Sequence, residues 1–223
     1  MVNNSKNAFW QALILSIIIF SIGLILGFFL EKSRTSSIEI NSLNSEINLL
    51  DEQLRNKVIE NLQVDCIPAS DSAFKFADRI YAEALKLEQY DSSAKFISTL
   101  KVIHKRYDLL RLMLWLESTK LKKNCSSEFH TIVYFFDYDS QDIKVRAEQT
   151  AFSRLLTDLK ERYPHDILLI PIAGNLNIEA IDLAKDKYDI ISSPSILIDE
   201  KEVVDKIITL QELENHIFNS NKA

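Results

Sequence analysis

Two thiols are the most reactive groups in this 223-residue chain, and they stand far apart, at Cys66 and Cys125. That distance excludes a C-x-x-C redox pair, and two sulfurs cannot complete a four-cysteine zinc site. A structural disulfide, two buried thiols or a dithiol assembled by the fold remain open for them. The three glycines, at 23, 27 and 174, are too scattered to form a phosphate-cradling turn. Classical G-x-G-x-x-G and Walker-A nucleotide binding are therefore excluded. No His, Asp or Glu grouping has metal-ligand spacing, so neither a metal nor a cofactor is expected. Ser140 would need an adjacent base to act as a nucleophile, and its neighbours are Asp137, Asp139 and Asp142. The ordinary role of such residues is to cap a helix and complement its dipole. Asn124-Cys125-Ser126 matches an N-x-S acceptor, a pattern with a high chance rate. No catalytic residue is assigned.

Net charge is −6, with basic residues spread among acidic ones. A nucleic-acid binder needs a basic stripe to displace counterions. The nearest approach is His104-Lys105-Arg106 with Lys101 and Arg111, which reads as a solvated helix face. No nucleic-acid partner is expected.

These groups are positioned by five successive segments. After a tail at residues 1–7, Ala8 to Leu30 carries no formal charge and is long enough to span the hydrocarbon core of a bilayer. Trp10 and Phe28-Phe29 mark its ends as interfacial aromatics do. A cleaved signal peptide would have a shorter apolar stretch and a small-residue cleavage site, whereas Phe28-Phe29-Leu30-Glu31-Lys32 follows here. An uncleaved single-span anchor is expected. Lys6 and the α-amine on one side balance Lys32 and Arg34 on the other, so positive charge barely orients it. Ala12, Ser16, Gly23 and Gly27 share one helix face and offer a close-packing surface for a second membrane helix.

A stalk follows over residues 36–63. Ile40, Leu43, Ile47, Leu50 and Leu54 keep a 3-4-3-4 spacing, and Val58 and Leu62 continue it after a slip. The stretch fits either a short coiled coil, giving a homodimer through anchor and stalk, or an amphipathic helix lying against its own chain. Residues 66–125 read as a helical hairpin. Its first helix follows Pro68 and a Ser70-Asp71 cap, with Phe74, Ala77, Ile80, Tyr81, Ala84 and Leu87 along one stripe. A second cap stands at Tyr90-Asp91-Ser92-Ser93. The second helix aligns Phe96, Leu100, Ile103, Tyr107, Leu110, Leu114 and Leu121, and its stretch 109–116 is apolar on more than one face. That helix must be covered by the stalk, the C-terminal domain or another protein. An antiparallel hairpin brings Cys66 and Cys125 to the same end, and a disulfide there implies an oxidising compartment.

Residues 128–219 alternate strand and helix patterns. Strands are expected at Thr131–Phe136, Ile167–Ile172, Ser195–Asp199 and Val203–Ile208. A helix with Ala147, Ala151, Leu155 and Leu159 follows the first strand, a short one covers 178–187, and Thr209 with Glu212 caps a last one at 210–218. The order β-α-β-α-β-β-α gives an α/β or α+β layer sandwich.

The stretch Lys187-Tyr188-Asp-Ile-Ile-Ser-Ser-Pro194-Ser195-Ile-Leu-Ile-Asp199, within that order, resembles the thioredoxin fold. The likeness covers roughly residues 129–219 and implies a cis Ser193–Pro194 peptide. It also places the family's redox motif on Ser140-Gln141-Asp142-Ile143, where both cysteines are missing. A thioredoxin-like domain without thiols cannot exchange disulfides there. The resemblance leaves a peptide-binding groove, with Ser193, Pro194 and Ser195 facing Ser140 and Gln141. The expected protein is a single-pass membrane protein that presents this inactive domain outside the cytoplasm for protein or peptide binding. A thiol oxidoreductase using Cys66 and Cys125, or a structural subunit docked through helix 109–116, are the alternatives.

Overall fold

The computed structural model describes residues 4–61, 64–91, 97–125 and 129–219. The chain divides into two compact units, residues 1–54 and 55–223. One helix, α1 (Asn4–Asn61), forms the first unit and runs on into the second. Its stretch Phe9–Leu30 is long and apolar enough to cross a membrane. The sequence separates anchor from stalk at residues 31–35, yet the helix passes through without interruption. That stretch holds no Pro or Gly, and Ser and Thr each weaken a helix by less than about 1 kcal/mol. Leu43, Ile47, Leu50 and Leu54 are exposed along it. Leu62, Ser92, Ser93, Phe96 and Ser126, singled out above, lie outside the described residues.

The second unit adds α2 (Cys66–Asp91), α3 (Ile97–Cys125), β1 (His130–Phe136), α4 (Ile143–Arg162) and β2 (Ile167–Ala173). It ends with α5 (Glu179–Lys187), β3 (Ser195–Ile198), β4 (Glu202–Val204) and α6 (Leu210–Phe218). The strand order in the sheet is β2-β1-β3-β4. β1 runs parallel to β2 and antiparallel to β3, which pairs antiparallel with β4. Pro171 lies in β2, at the sheet edge, where a missing N–H leaves no neighbour unpaired.

Both faces of β1 are covered, which is why its sequence is an unbroken apolar run rather than an alternating one. On one face Ile132, Tyr134, Ile196 and Ile198 pack with Phe152, Leu156 and Leu159 of α4 and Leu213 and Ile217 of α6. On the other, the α3 residue Trp115 meets the edge of Phe135 with ring centroids 6.0 Å apart. The hairpin and the sheet thus share one compact unit, and α3 is buried because α2 takes one of its faces and the sheet another.

Several local expectations shift. α2 starts at Cys66, ahead of Pro68, because first-turn amides have no helical acceptor to lose. Asp65 O accepts the Ala69 N–H at 3.2 Å, so the start is set before Ser70 and Asp71. Its buried stripe is Ala69, Ala73, Phe76, Ile80 and Ala84, while Tyr81 is exposed. In α4 the buried residues are Phe152, Leu156 and Leu159; Ala147 is exposed, because the larger side chains fill the sheet face. Arg111 is buried rather than solvated, paired with Asp108 at 3.0 Å. β4 ends at Val204, short of Ile208, since Asp205 and Lys206 interrupt the apolar run.

Candidate functional site

The loops that follow β1 and β2 and the loop that precedes β3 meet at one edge of the sheet. The register fixes this: Phe135 lies opposite Ile172 in parallel β2 and opposite Ser195 in antiparallel β3. Ser140 and Gln141 are thereby brought to the same edge as Ser193, Pro194 and Ser195. The Ser193–Pro194 peptide is cis.

Side-chain amides hold this edge together. Asn175 accepts from Tyr138 N at 2.8 Å and donates to Tyr138 O at 2.9 Å, as a neighbouring strand would. Gln149 does the same for Asp137, accepting at 2.9 Å and donating at 3.2 Å. The turn can then hold Asp139 at φ 50°, a left-handed conformation that Asp tolerates better than most residues. Asp142 caps α4 by accepting from Lys144 N at 2.8 Å. Gln141 donates to Asp139 O at 3.1 Å. Gly174 is a close approach: a Cβ there would lie 3.3 Å from Lys185 Nζ and 3.4 Å from Ser193 Oγ.

Pro194 and Ser195 are buried, and Ser193 and Ser140 are half-buried. The Ser195 hydroxyl has no hydrogen-bond partner among the described residues. Two isoleucines project from the same edge, Ile191 at 94% exposure and Ile143 at 75%. His104 of α3, expected on a solvated helix face, instead joins this edge, with its ring 4.4 Å from that of Tyr138. One turn further along, Asp108 Oδ1 accepts from Ala173 N at 3.3 Å. Burial pushes the Asp108 carboxyl up, and the adjacent Arg111 guanidinium opposes this.

A second cluster occupies the opposite edge of the sheet, where the sequence pattern showed only the end of a strand at Asp199. Asp199, Glu200 and Lys201 join β3 to β4, the first two at positive φ, 49° and 57°. Turn positions of that geometry usually take Asn or Gly, and here both carboxylates turn inward instead. Asp199 accepts from Thr131 N at 2.9 Å, pairs with His130 Nδ1 at 2.6 Å and accepts from Lys122 Nζ. Glu200 accepts from Trp115 Nε1 and from Thr131 Oγ1, both at 2.8 Å. Burial raises the Asp199 carboxyl, but the His130 and Lys122 hydrogen bonds outweigh it and hold it well below the ordinary carboxylate range.

Cys66 and Cys125 form a disulfide with Cα atoms 5.5 Å apart. Cys125 lies one turn beyond Lys122, toward the edge where Thr131 and Asp199 sit, whereas Pro194 stands at the other end of β1. Among the described residues no group of three or more His, Cys, Asp or Glu side chains could hold a metal ion. On α1, Gly23 and Gly27 form the floor of an apolar groove flanked by Phe20, Leu24 and Phe28. No protein-family model matches this chain, and neither a curated protein nor a solved structure matches it.

Proposed function

We propose that this is a single-pass membrane protein whose soluble part is a redox-inactive, thioredoxin-like binding domain. The observation that carries the reading is the pair of exposed isoleucines, Ile143 and Ile191, on an edge otherwise fixed by the Asn175 and Gln149 clasps. A rigid edge that leaves large apolar side chains in water is suited to bury them against a partner. The strand order, the strand directions and the cis peptide before β3 support the thioredoxin-like part of the reading. The disulfide supports a soluble part outside the cytoplasm.

Thiol exchange at this edge has less support, because the disulfide sits toward the other end of the sheet. Docking through helix 109–116 is likewise weakened, since α2 and the sheet cover most of that helix. A photo-crosslinking residue placed at Ile191 or Ile143 in native membranes tests the reading. Both positions should give the same discrete protein adduct, and exposed Lys201 on the opposite edge should give none. Absence of adducts from both isoleucine positions, or equal labelling from Lys201, refutes it. Protease added to sealed membranes reports the side on which the domain lies.

A further inference from the structure

The apolar face of α1 beyond the membrane-spanning stretch carries a second kind of information. Leu43, Ile47, Leu50 and Leu54 are 57%, 61%, 57% and 59% exposed. They lie past Leu30, so on the anchored reading they stand in water, where covering apolar surface is favourable. Gly23 and Gly27 lie in the spanning stretch, where lipid already solvates an apolar face and no such drive exists.

The two faces also point apart. At about 100° per residue, the stripe Ala12, Ser16, Gly23 and Gly27 and the seam of Leu43, Ile47, Leu50 and Leu54 are centred on roughly opposite sides of one uninterrupted helix. A single symmetric dimer cannot close both.

The residue types on the seam decide what covers it. Read as a heptad, Ile40 and Ile47 occupy a, Leu43 and Leu50 occupy d, and Leu54 takes the next a. β-branched residues at a with leucine at d favour two parallel strands over higher oligomers. A spanning helix continuous with the seam orients every copy alike and confines the copies to one surface, which raises their effective concentration. We infer that the occupant of this seam is the same seam of a second copy of this chain, parallel and in register. The Gly23–Gly27 groove faces away from that contact. Just over two heptads are too short to hold such a pair in dilute solution, so the dimer belongs to the membrane. Across it Glu46 at g faces the second copy's Asp51 at e, a like-charged pair that salt screens.

The inference rests on the anchored reading, so full-length protein in lipid vesicles serves as the test. The native cysteines are paired, so an introduced cysteine is the sole free thiol. Leu50→Cys and Ile47→Cys should each form oxidative dimers at least ten-fold faster than Ser45→Cys or Gly27→Cys, and faster still at higher salt. Equal rates at all four positions, or fastest cross-linking at Gly27→Cys, would overturn the seam dimer. Resistance of the same vesicles to alkaline extraction reads the anchoring by itself: extracted protein refutes the anchor, retained protein without seam cross-linking refutes only the dimer.

Discussion

Opening the Cys66–Cys125 bridge should lower stability without dismantling the fold. The two residues are 59 apart in sequence, so the bridge closes a loop of about 60 residues in the unfolded chain. Chain entropy for a loop of that length amounts to about 14 cal/mol/K, or about 4 kcal/mol at 25 °C. For a unit of 169 residues, counted from 55 to 223, each kcal/mol moves the melting temperature by about 2–4 °C. The expected loss is therefore roughly 8–16 °C. At 25 °C the fold should persist, because Phe76 and Ile80 of α2 and Leu110 and Leu114 of α3 stay buried without the bridge. Trp115 is buried against the sheet and reports this unit alone once Trp10 is replaced by Phe. Its fluorescence would be followed on heating detergent-solubilised W10F protein, oxidised and reduced, beside the Cys66→Ser/Cys125→Ser double variant. A melting temperature unchanged within about 2 °C would refute the reasoning, because the hairpin would then be closed in the unfolded state by something other than the bridge.

Three further outcomes concern the buried charges and a helix cap. Asp199→Asn should cost about 2–3 kcal/mol in urea unfolding, the usual size for a lost charge-assisted hydrogen bond. The Asp199 carboxyl is depressed in the folded state, so as pH falls below its ordinary value of 3.8 the unfolded chain takes up the proton first. Wild-type stability from this group is complete above that pH and lost below it, and the variant should lack that part of the acid slope. Asp108 has the opposite sign: its carboxyl is raised by burial, so wild-type should lose stability as pH rises upward from 3.8. Asp108→Ala should cost about 3–5 kcal/mol by stranding Arg111, whereas Asp108→Leu with Arg111→Met should be close to neutral. Asp142→Ala removes the α4 cap and should cost about 1 kcal/mol, read by the urea midpoint.

What the sequence revealed and what it hid divide by the range of the interactions. The first strand was legible because a β-branched and aromatic run of that length has few other uses. The last helix was legible because Thr209 and Glu212 form a local, reciprocal cap. α4 was misjudged in orientation: Ala151 and Leu155 form a stripe as regular as that of Phe152, Leu156 and Leu159, and only the position of the sheet selects between them. The apolar stretch and the heptad stretch run on as one helix because serines and threonines lower helix propensity without forbidding it. The Asp199–Glu200 cluster was hidden because its partners Lys122, His130 and Trp115 are 69 to 85 residues away. One signal was available: a tight connection between strands with no Gly or Asn must recover its backbone strain through its side chains. At the loop edge, the cis peptide was legible through resemblance, while His104 could only be found by folding α3 onto the sheet.

The disulfide also decides how tension would travel through this chain. Cys66 follows the end of α1 by only a few residues, and Cys125 precedes β1 by only a few. A pull applied at the N-terminal end of α1 therefore passes along α1, across the sulfur–sulfur bond and straight into β1. The intervening 58 residues, nearly all of α2 and α3, lie off that covalent path. With the bridge reduced, the same pull would peel the hairpin first and release roughly 200 Å of chain before reaching the sheet. Oxidised, the tether is short and stiff, and force meets β1 where Thr131 and His130 grip the inward-turned Asp199.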